Sequence, residues 1–224
     1  MDETTKTSKF WGELERSILR GKGIDIGCGP DPVGPDVRKF DIENGDANQI
    51  TKYVHEVFDF VFSSHCLEHM GSPRETILDW WKLVRPGGHL FFIVPDEDLY
   101  EQGVFPSRFN ADHKATFTIS KAKSWSPVSV NVLDLVHSLP GAQVVSLVLQ
   151  DMGYDRRNLK HGRRSLARQL VRRAYGKYVR LTNGRPLREP KLVVRALWRF
   201  LDDQTVRPDA VAQIQCIVKK MPST

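Results

Sequence analysis

Cysteine is scarce in this chain. Cys28, Cys66 and Cys216 are the only three in 224 residues, scattered and without a C-x-x-C pair. That excludes a disulfide framework and a cysteine-built zinc site, so the three read as reduced thiols. No apolar run approaches the roughly 18 residues needed to cross a bilayer. The start, MDETTKTSKF, is acidic and polar where a secretory leader is basic and then apolar. A cytoplasmic location is therefore expected. What the chain does have is a 40% apolar content, enough to build the core of one large domain or of one domain with an insertion.

Charge of one sign is almost missing from one segment. Between Arg156 and Arg199 there are fifteen Lys or Arg against Glu189 alone, a segment charge of +14. The whole chain carries +6, so the remainder is net −8. Two electrostatic halves follow, and the basic one is expected to face something anionic.

Apolar periodicity gives the element order. Phe10, Trp11, Leu14, Ile18 and Leu19 are spaced as a helix within residues 1–21. KGIDIGCGPDP is a short strand running into a loop of small residues, VRKFD a strand ending at Asp41, and FDFVFSS (58–64) a strand apolar enough to be buried on both faces. Pro73 opens a helix carrying Ile77, Leu78, Trp81 and Val84 on one stripe, which ends at PGG before the strand HLFFIVPD. The alternation predicts a parallel α/β sheet with ligands beyond the carboxyl ends of its strands. A long polar and aromatic loop, a helix near 127–138 and a strand AQVVSLVLQD follow. After the basic segment, AVAQIQCIVKK returns as a last strand, antiparallel to the strand before the excursion. Residues 22–151 and 209–221 thus form one domain, with 152–208 a basic helical insertion.

The stretch SSHCLEHM holds His65, Glu68 and His69 in the order H-x-x-E-H, a metal-site pattern of zinc peptidases. That pattern needs a helix that places both histidines on one face and a further carboxylate ligand, whereas here it follows directly on an apolar strand. Glu68 and His69 are expected to start or cap the next helix, and no metal ligand set is expected.

GIDIGCG after a strand, an acid ending the next strand at Asp41, GDA at 45–47, FDFVFSSHCLEHM and LVRPGGHLFFIVPD together resemble the class I S-adenosylmethionine-dependent methyltransferases. The resemblance covers about residues 20–150 and the last strand. It implies a Rossmann-like methyltransferase fold, S-adenosylmethionine as cofactor, and a cofactor site drawn from Asp25, Gly27, Cys28, Gly29, Asp41, Asp46, Ser63, Ser64 and His65, with SSHCLEHM beside the cofactor and no metal. The residue types suit that ligand. Gly27 and Gly29 let the main chain approach closely, and a carboxylate at Asp41 can accept two ribose hydroxyls at once. By resemblance, Asp25 orients the loop and the methionyl ammonium, and Asp46 accepts from the adenine amino group.

Two departures stand out. Only GPDPVGP and a couple of residues join the first two strands, where a parallel crossover takes a dozen or more, and 42–57 is too short for helix, strand and helix. A trimmed version of the fold is expected. A third glycine after G-C-G-P-D-P is lacking, which disfavours a dehydrogenase.

For the chemistry, a hydroxyl acceptor must lose its proton, and His113, His65 and Asp96 are the candidate groups to take it. The run VPDEDLYEQGVFPSRFNADHKATFT resembles methyltransferases of bacterial surface polysaccharide pathways. Tyr100, Phe105 and Phe109 could stack on sugar faces while Arg108, Asn110 and Asp112 meet hydroxyls. The leading expectation is O-methylation of a sugar, glycan or similar hydroxylated metabolite. The alternatives are an RNA methyltransferase that grips phosphates through the basic insertion, and an adenosyl-ligand-binding module without catalysis. Basic helices of the kind spelled by RRSLARQLVRRAYGKYV can also lie on an anionic membrane, hold a lipid-linked substrate, or pack on the domain with a solvated outer face.

Overall fold

The computed structural model describes residues 3–159 and 204–222, together with Lys177. A six-stranded sheet organises the chain in the order β2-β1-β3-β4-β8-β7. β1 (Gly23–Ile26) lies parallel between β2 (Arg38–Phe40) and β3 (Phe58–Ser64), and β3 is parallel to β4 (Val84–Pro95). β8 (Gln213–Lys220) runs antiparallel to both β4 and β7 (Ala142–Gln150), as the returning-strand argument requires. The mostly parallel α/β sheet with an antiparallel last strand is therefore the fold. The chain leaves the sheet after Gln150 and returns at Gln213. The basic 156–199 segment lies almost wholly outside the described residues.

β3 shows why its letters make a central strand. Phe60 and Phe62 point to one face and Val61 to the other, and all are fully buried. The Val61 face packs on α3 (Pro73–Lys82), α4 (Val132–His137) and the turn Ala47–Lys52. From α3 come Ile77, Trp80 and Trp81; the indole N–H of Trp80 donates to Ala47 O at 2.8 Å and that of Trp81 to Pro140 O at 2.9 Å. An aromatic buried this way and satisfied at its polar edge contributes on the order of 4–6 kcal/mol of gross burial. α3 starts after Ser72 at the N-cap position with Pro73 in its first turn, and it ends where Leu83 turns directly into β4.

The Phe60–Phe62 face has a different cover. The β1–β2 crossover, residues 27–37, carries no helix and contributes only Val33 and Val37. Trp11 and Ile18 from the N-terminal segment complete that layer, with Trp11 edge-on to Phe62 at 5.8 Å. The single N-terminal helix expected from spacing is instead two short ones, α1 (Glu3–Ser8) and α2 (Glu13–Ile18). Gly12 breaks them, and its N–H donates to the Glu15 carboxylate at 2.9 Å, which starts the second helix there. Leu14 consequently faces solvent. Between residues 42 and 57 the chain makes two short 3-10 turns, Ile42–Asn44 and Ala47–Lys52, in place of the helix, strand and helix for which the segment is too short. The helix expected near 127–138 is shorter too: Ser129–Asn131 forms β6, paired in parallel with β5 (Thr116–Thr118), and α4 begins only at Val132, where the Asn131 side chain accepts from Asp134 N–H.

A donor cleft and a smaller cavity meet at two histidines

The carboxyl ends of β1, β2 and β3 open onto a cleft of about 700 Å³, within the range of small-molecule sites. Gly27, Asp41, Asp46, His65 and Cys66 line it, with Ile42, Asn48, Met70 and Lys114. Gly27 adopts φ +74°, and a Cβ there would stand 2.5 Å from Cys66 Sγ, so only glycine fits this wall. The Asp41 carboxylate accepts from Gly29 N–H at 2.6 Å and from Ile42 N–H at 2.7 Å, tying the glycine loop to the end of β2. Each oxygen keeps a further acceptor site toward the cleft. Asp46 accepts from the main-chain and side-chain N–H groups of Asn48, and those bonds hold it below the usual carboxylate range.

Other residues expected around the cofactor sit behind this surface. Asp25 is buried under the crossover loop, accepting from Val33 N–H at 2.7 Å; burial, with Asp31 and Asp41 nearby, pushes its carboxyl up to about 7. Asp25 bonds Val33 of the crossover loop, and it lines neither cavity. Ser63 donates its hydroxyl to Ile26 O at 2.9 Å, which pins β3 to β1. Ser64 and Cys28 are buried and also line neither cavity; burial pushes the Cys28 thiol up. Ile42 gave no signal when read alone, yet it is 88% exposed at the cleft edge, directly after the acid that ends β2. An exposed isoleucine beside a polar cleft is a ready surface for a flat apolar ring.

A second cavity, about 280 Å³, lies behind His65 and His69 and shares both with the cleft. Its walls include Glu3 and Lys6 of α1, Glu68, Tyr100, Asn110, His113 and Gln213. α1 is held over it by Lys6 Nζ donating to Thr205 O at 2.6 Å and by Gln213 donating to Thr7 Oγ1 at 3.1 Å. His113 is buried; its Nδ1 lies 2.6 Å from Glu101 Oε1, and its ring stacks on Tyr100 at 5.4 Å. His65 adopts φ +53° at the end of β3, with Nε2 3.1 Å from Gln213 Oε1 and Nδ1 3.3 Å from Glu68 Oε1. Burial alone would lower its pKa, but the Glu68 carboxylate beside it reverses this and takes it up to about 9.

Of the three expected proton acceptors, His65 and His113 line the small cavity and Asp96 lines neither. Asp96 instead accepts from Asp98 N–H and Leu99 N–H, capping the turn Glu97–Glu101, and burial raises it to about 6. Phe109 packs edge-on to Tyr100 at 5.7 Å and Arg108 lies over Phe109, while Asp112 faces the larger cleft. Glu68 and His69 do not cap α3. They form the 3-10 turn Leu67–His69, and Ser72 stands at the N-cap position of α3 without a side-chain cap bond.

Comparison with known proteins places this geometry. A methyltransferase domain family matches residues 5–173, three quarters of the chain. The chain belongs to that methyltransferase family. This methyltransferase and a protein assigned as the sarcosine dimethylglycine methyltransferase of Galdieria sulphuraria share 10% identity with a TM-score of 0.51, over 99% of this chain and 85% of that one. An S-adenosylmethionine-dependent methyltransferase from Archaeoglobus fulgidus superposes at TM-score 0.48 and 13% identity, over 97% and 92% of the two chains. No curated protein sequence matches the methyltransferase. Family membership carries methyl transfer from S-adenosylmethionine, the activity and cofactor that the motif order implied.

Proposed function

We propose that this methyltransferase O-methylates a small hydroxylated molecule, a sugar or similar metabolite, held in the 280 Å³ cavity. The observation that carries the proposal is the meeting of two cavities of different character at His65 and His69.

The larger cleft fits S-adenosylmethionine. It offers a glycine wall that a Cβ would fill at Gly27, carboxylates at Asp41 and Asp46 with acceptor capacity for hydroxyls and amino groups, and an apolar edge at Ile42. Bound there, the cofactor supplies an electrophilic methyl group on a sulfonium. Asp41 holds the ribose hydroxyls, Asp46 and Asn48 meet the adenine edge, and Gly27 leaves room for the amino acid end. Asp25 acts indirectly, by fixing the crossover loop through Val33.

On the acceptor side the walls are polar on several sides, with Lys6 and Asn110 placed to meet hydroxyls and the Tyr100 ring to meet a sugar face. His113 is the proton acceptor. With its Nδ1 proton directed at Glu101, the Nε2 lone pair is left for the cavity, the same logic that orients a base by a carboxylate elsewhere. His65, held cationic by Glu68 near neutral pH, orients the acceptor and does not take its proton. Holding the acceptor oxygen and the methyl group in line is the larger part of such catalysis. The domain comprises residues 22–151 and 209–221, and the 152–208 excursion serves an anionic surface or a lipid-linked acceptor.

The test is calorimetric titration with S-adenosylmethionine and S-adenosylhomocysteine, with Asp41→Ala as control, followed by radiolabelled methyl transfer to a panel of free sugars, nucleotide sugars and short RNAs. Transfer to a sugar hydroxyl supports the reading. Transfer to RNA alone, with binding that falls steeply as salt rises, would sink it in favour of the phosphate-gripping alternative.

A further inference from the structure

The small cavity contains an arrangement that methyl transfer does not require. Glu68 is completely buried, its side chain faces the cavity, and neither carboxylate oxygen has a hydrogen-bond partner. The groups beside it are His65 Nδ1 at 3.3 Å, without hydrogen-bond alignment, and His113 Nε2 at 4.0 Å. The cationic His65 ring offsets part of the cost of burying this charge, but both carboxylate oxygens keep lone pairs that nothing fills.

Two other imidazoles near Glu68, those of His113 and His69, are oriented in the same sense. His113 has Glu101 at its Nδ1, and Glu101 is itself fully buried. His69 has the Asp112 carboxylate 3.1 Å from its Nδ1. A carboxylate on Nδ1 fixes the tautomer that carries the proton there, leaving Nε2 as a lone pair. That pairing is the outer shell found behind metal-bound histidines. One ligand atom from each of Glu68, His69 and His113 lies within 4.8 Å of the other two. A tetrahedral ion with bonds of about 2.0–2.2 Å spaces its ligands by about 3.4 Å, so the three groups close by roughly 1.4 Å or less to grip one.

We propose that Glu68, His69 and His113 bind one divalent transition ion of the zinc class, with an open position toward the small cavity. Two imidazoles and a carboxylate are the donor set that suits zinc, cobalt or nickel rather than magnesium or calcium, which take oxygen cages. The H-x-x-E-H letters thus supply two ligands, but not in the peptidase manner. His65 stands on a positive-φ residue before the turn, and the third ligand comes from the loop 44 residues beyond His69, at His113. This departs from the expectation of no metal. It deepens the acceptor-site reading: with an ion present, His113 Nε2 is a ligand, and the ion's charge does the base's work by making a bound hydroxyl more acidic.

The experiment uses the metal alone. The full chain, stripped with chelator and shown folded by circular dichroism, is titrated with Co²⁺ and Zn²⁺ and monitored by calorimetry, by cobalt visible absorption, and by metal content after gel filtration. The expected result is one ion per chain, cobalt bands of a tetrahedral or five-coordinate centre, and affinity reduced at least 10-fold in Glu68→Gln and in His69→Ala, with His137→Ala as an unaffected control. His69 is half-buried, so its variant remains informative if the buried Glu68→Gln does not fold. Failure of the folded protein to bind either ion, or binding unchanged in a folded variant, overturns the site and leaves His113 free to act as base. Methyl transfer by the metal-free protein separates the two readings, because it can persist when the metal site fails and the acceptor site does not.

Discussion

Asp41 on the end of β2 accepts the main-chain N–H of Gly29 at 2.6 Å, across the cleft mouth from its own strand. One carboxylate therefore both shapes the glycine loop and presents acceptors to the donor cleft. Replacing Asp41 by Ala is expected to weaken S-adenosylhomocysteine by about 2 kcal/mol, the scale of a charge-assisted hydrogen bond. Asp41→Asn, which keeps an acceptor for Gly29, should lose less. Calorimetry on both variants checks the order, and equal affinity in Ala and wild type would remove Asp41 from the site.

His113 and Glu101 form a buried pair on the other side of His69. His113→Ala should leave cofactor affinity within about twofold while lowering turnover by 100-fold or more. Glu101→Gln should lower turnover less, because the ring stays while the carboxylate that fixes its tautomer is lost. Single-turnover rates with a sugar acceptor measure both. Full activity in His113→Ala ends its role as base, and cobalt titration of the same variant tests it as a ligand.

Much of this was legible because period and order survive in one sequence. FDFVFSS predicted a strand buried on both faces, and the short spacing between Ile26 and Arg38 predicted the missing crossover helix. The antiparallel return of β8 followed from chain order alone. What could not be read was depth. Asp25, Ser63 and Ser64 sit in the right motif but line neither cavity: Asp25 and Ser63 are turned to main-chain partners at Val33 and Ile26, which the letters alone do not reveal. Asp96 looked equally well placed after β4, yet it closes a turn on its own main chain. The letters place Glu68 at the start or cap of the next helix and give no signal at Glu101; only the fold reveals both to be buried side chains grouped around His113.

The raised carboxyl of Asp25 makes stability fall with pH. Its folded pKa is about 7 against an ordinary 3.8, so the folded state holds the proton that the unfolded chain has released between those values. Stability is then greatest near pH 4 as far as this group is concerned, and declines until pH passes 7, by on the order of 4 kcal/mol in total. Asp96, raised to about 6, acts in the same direction over a narrower window. Asp25→Asn keeps the acceptor for Val33 N–H and removes the proton dependence. Thermal melts at pH 5 and pH 8 should show the wild type losing more Tm across this interval than the variant; parallel losses would mean that Asp25 is not the buried acid described.

Gly27 meets Cys66 more closely than any Cβ allows, and the contact can be dissected atom by atom. An alanine at position 27 would place its Cβ 2.5 Å from the sulfur and 2.6 Å from the cysteine's own Cβ, on a backbone with φ +74°. Gly27→Ala should therefore lose several kcal/mol: about 1–2 for the left-handed conformation and the rest for the clash. Adding Cys66→Ala removes the sulfur but leaves the 2.6 Å contact, so little should return. Adding Cys66→Gly removes both atoms and should recover the steric part, leaving the conformational part behind. Urea denaturation of the two double variants measures the difference. If Cys66→Ala rescued as well as Cys66→Gly, the clash would lie with the sulfur alone and the main-chain approach of β1 to the 3-10 turn after β3 would be looser than the structure places it.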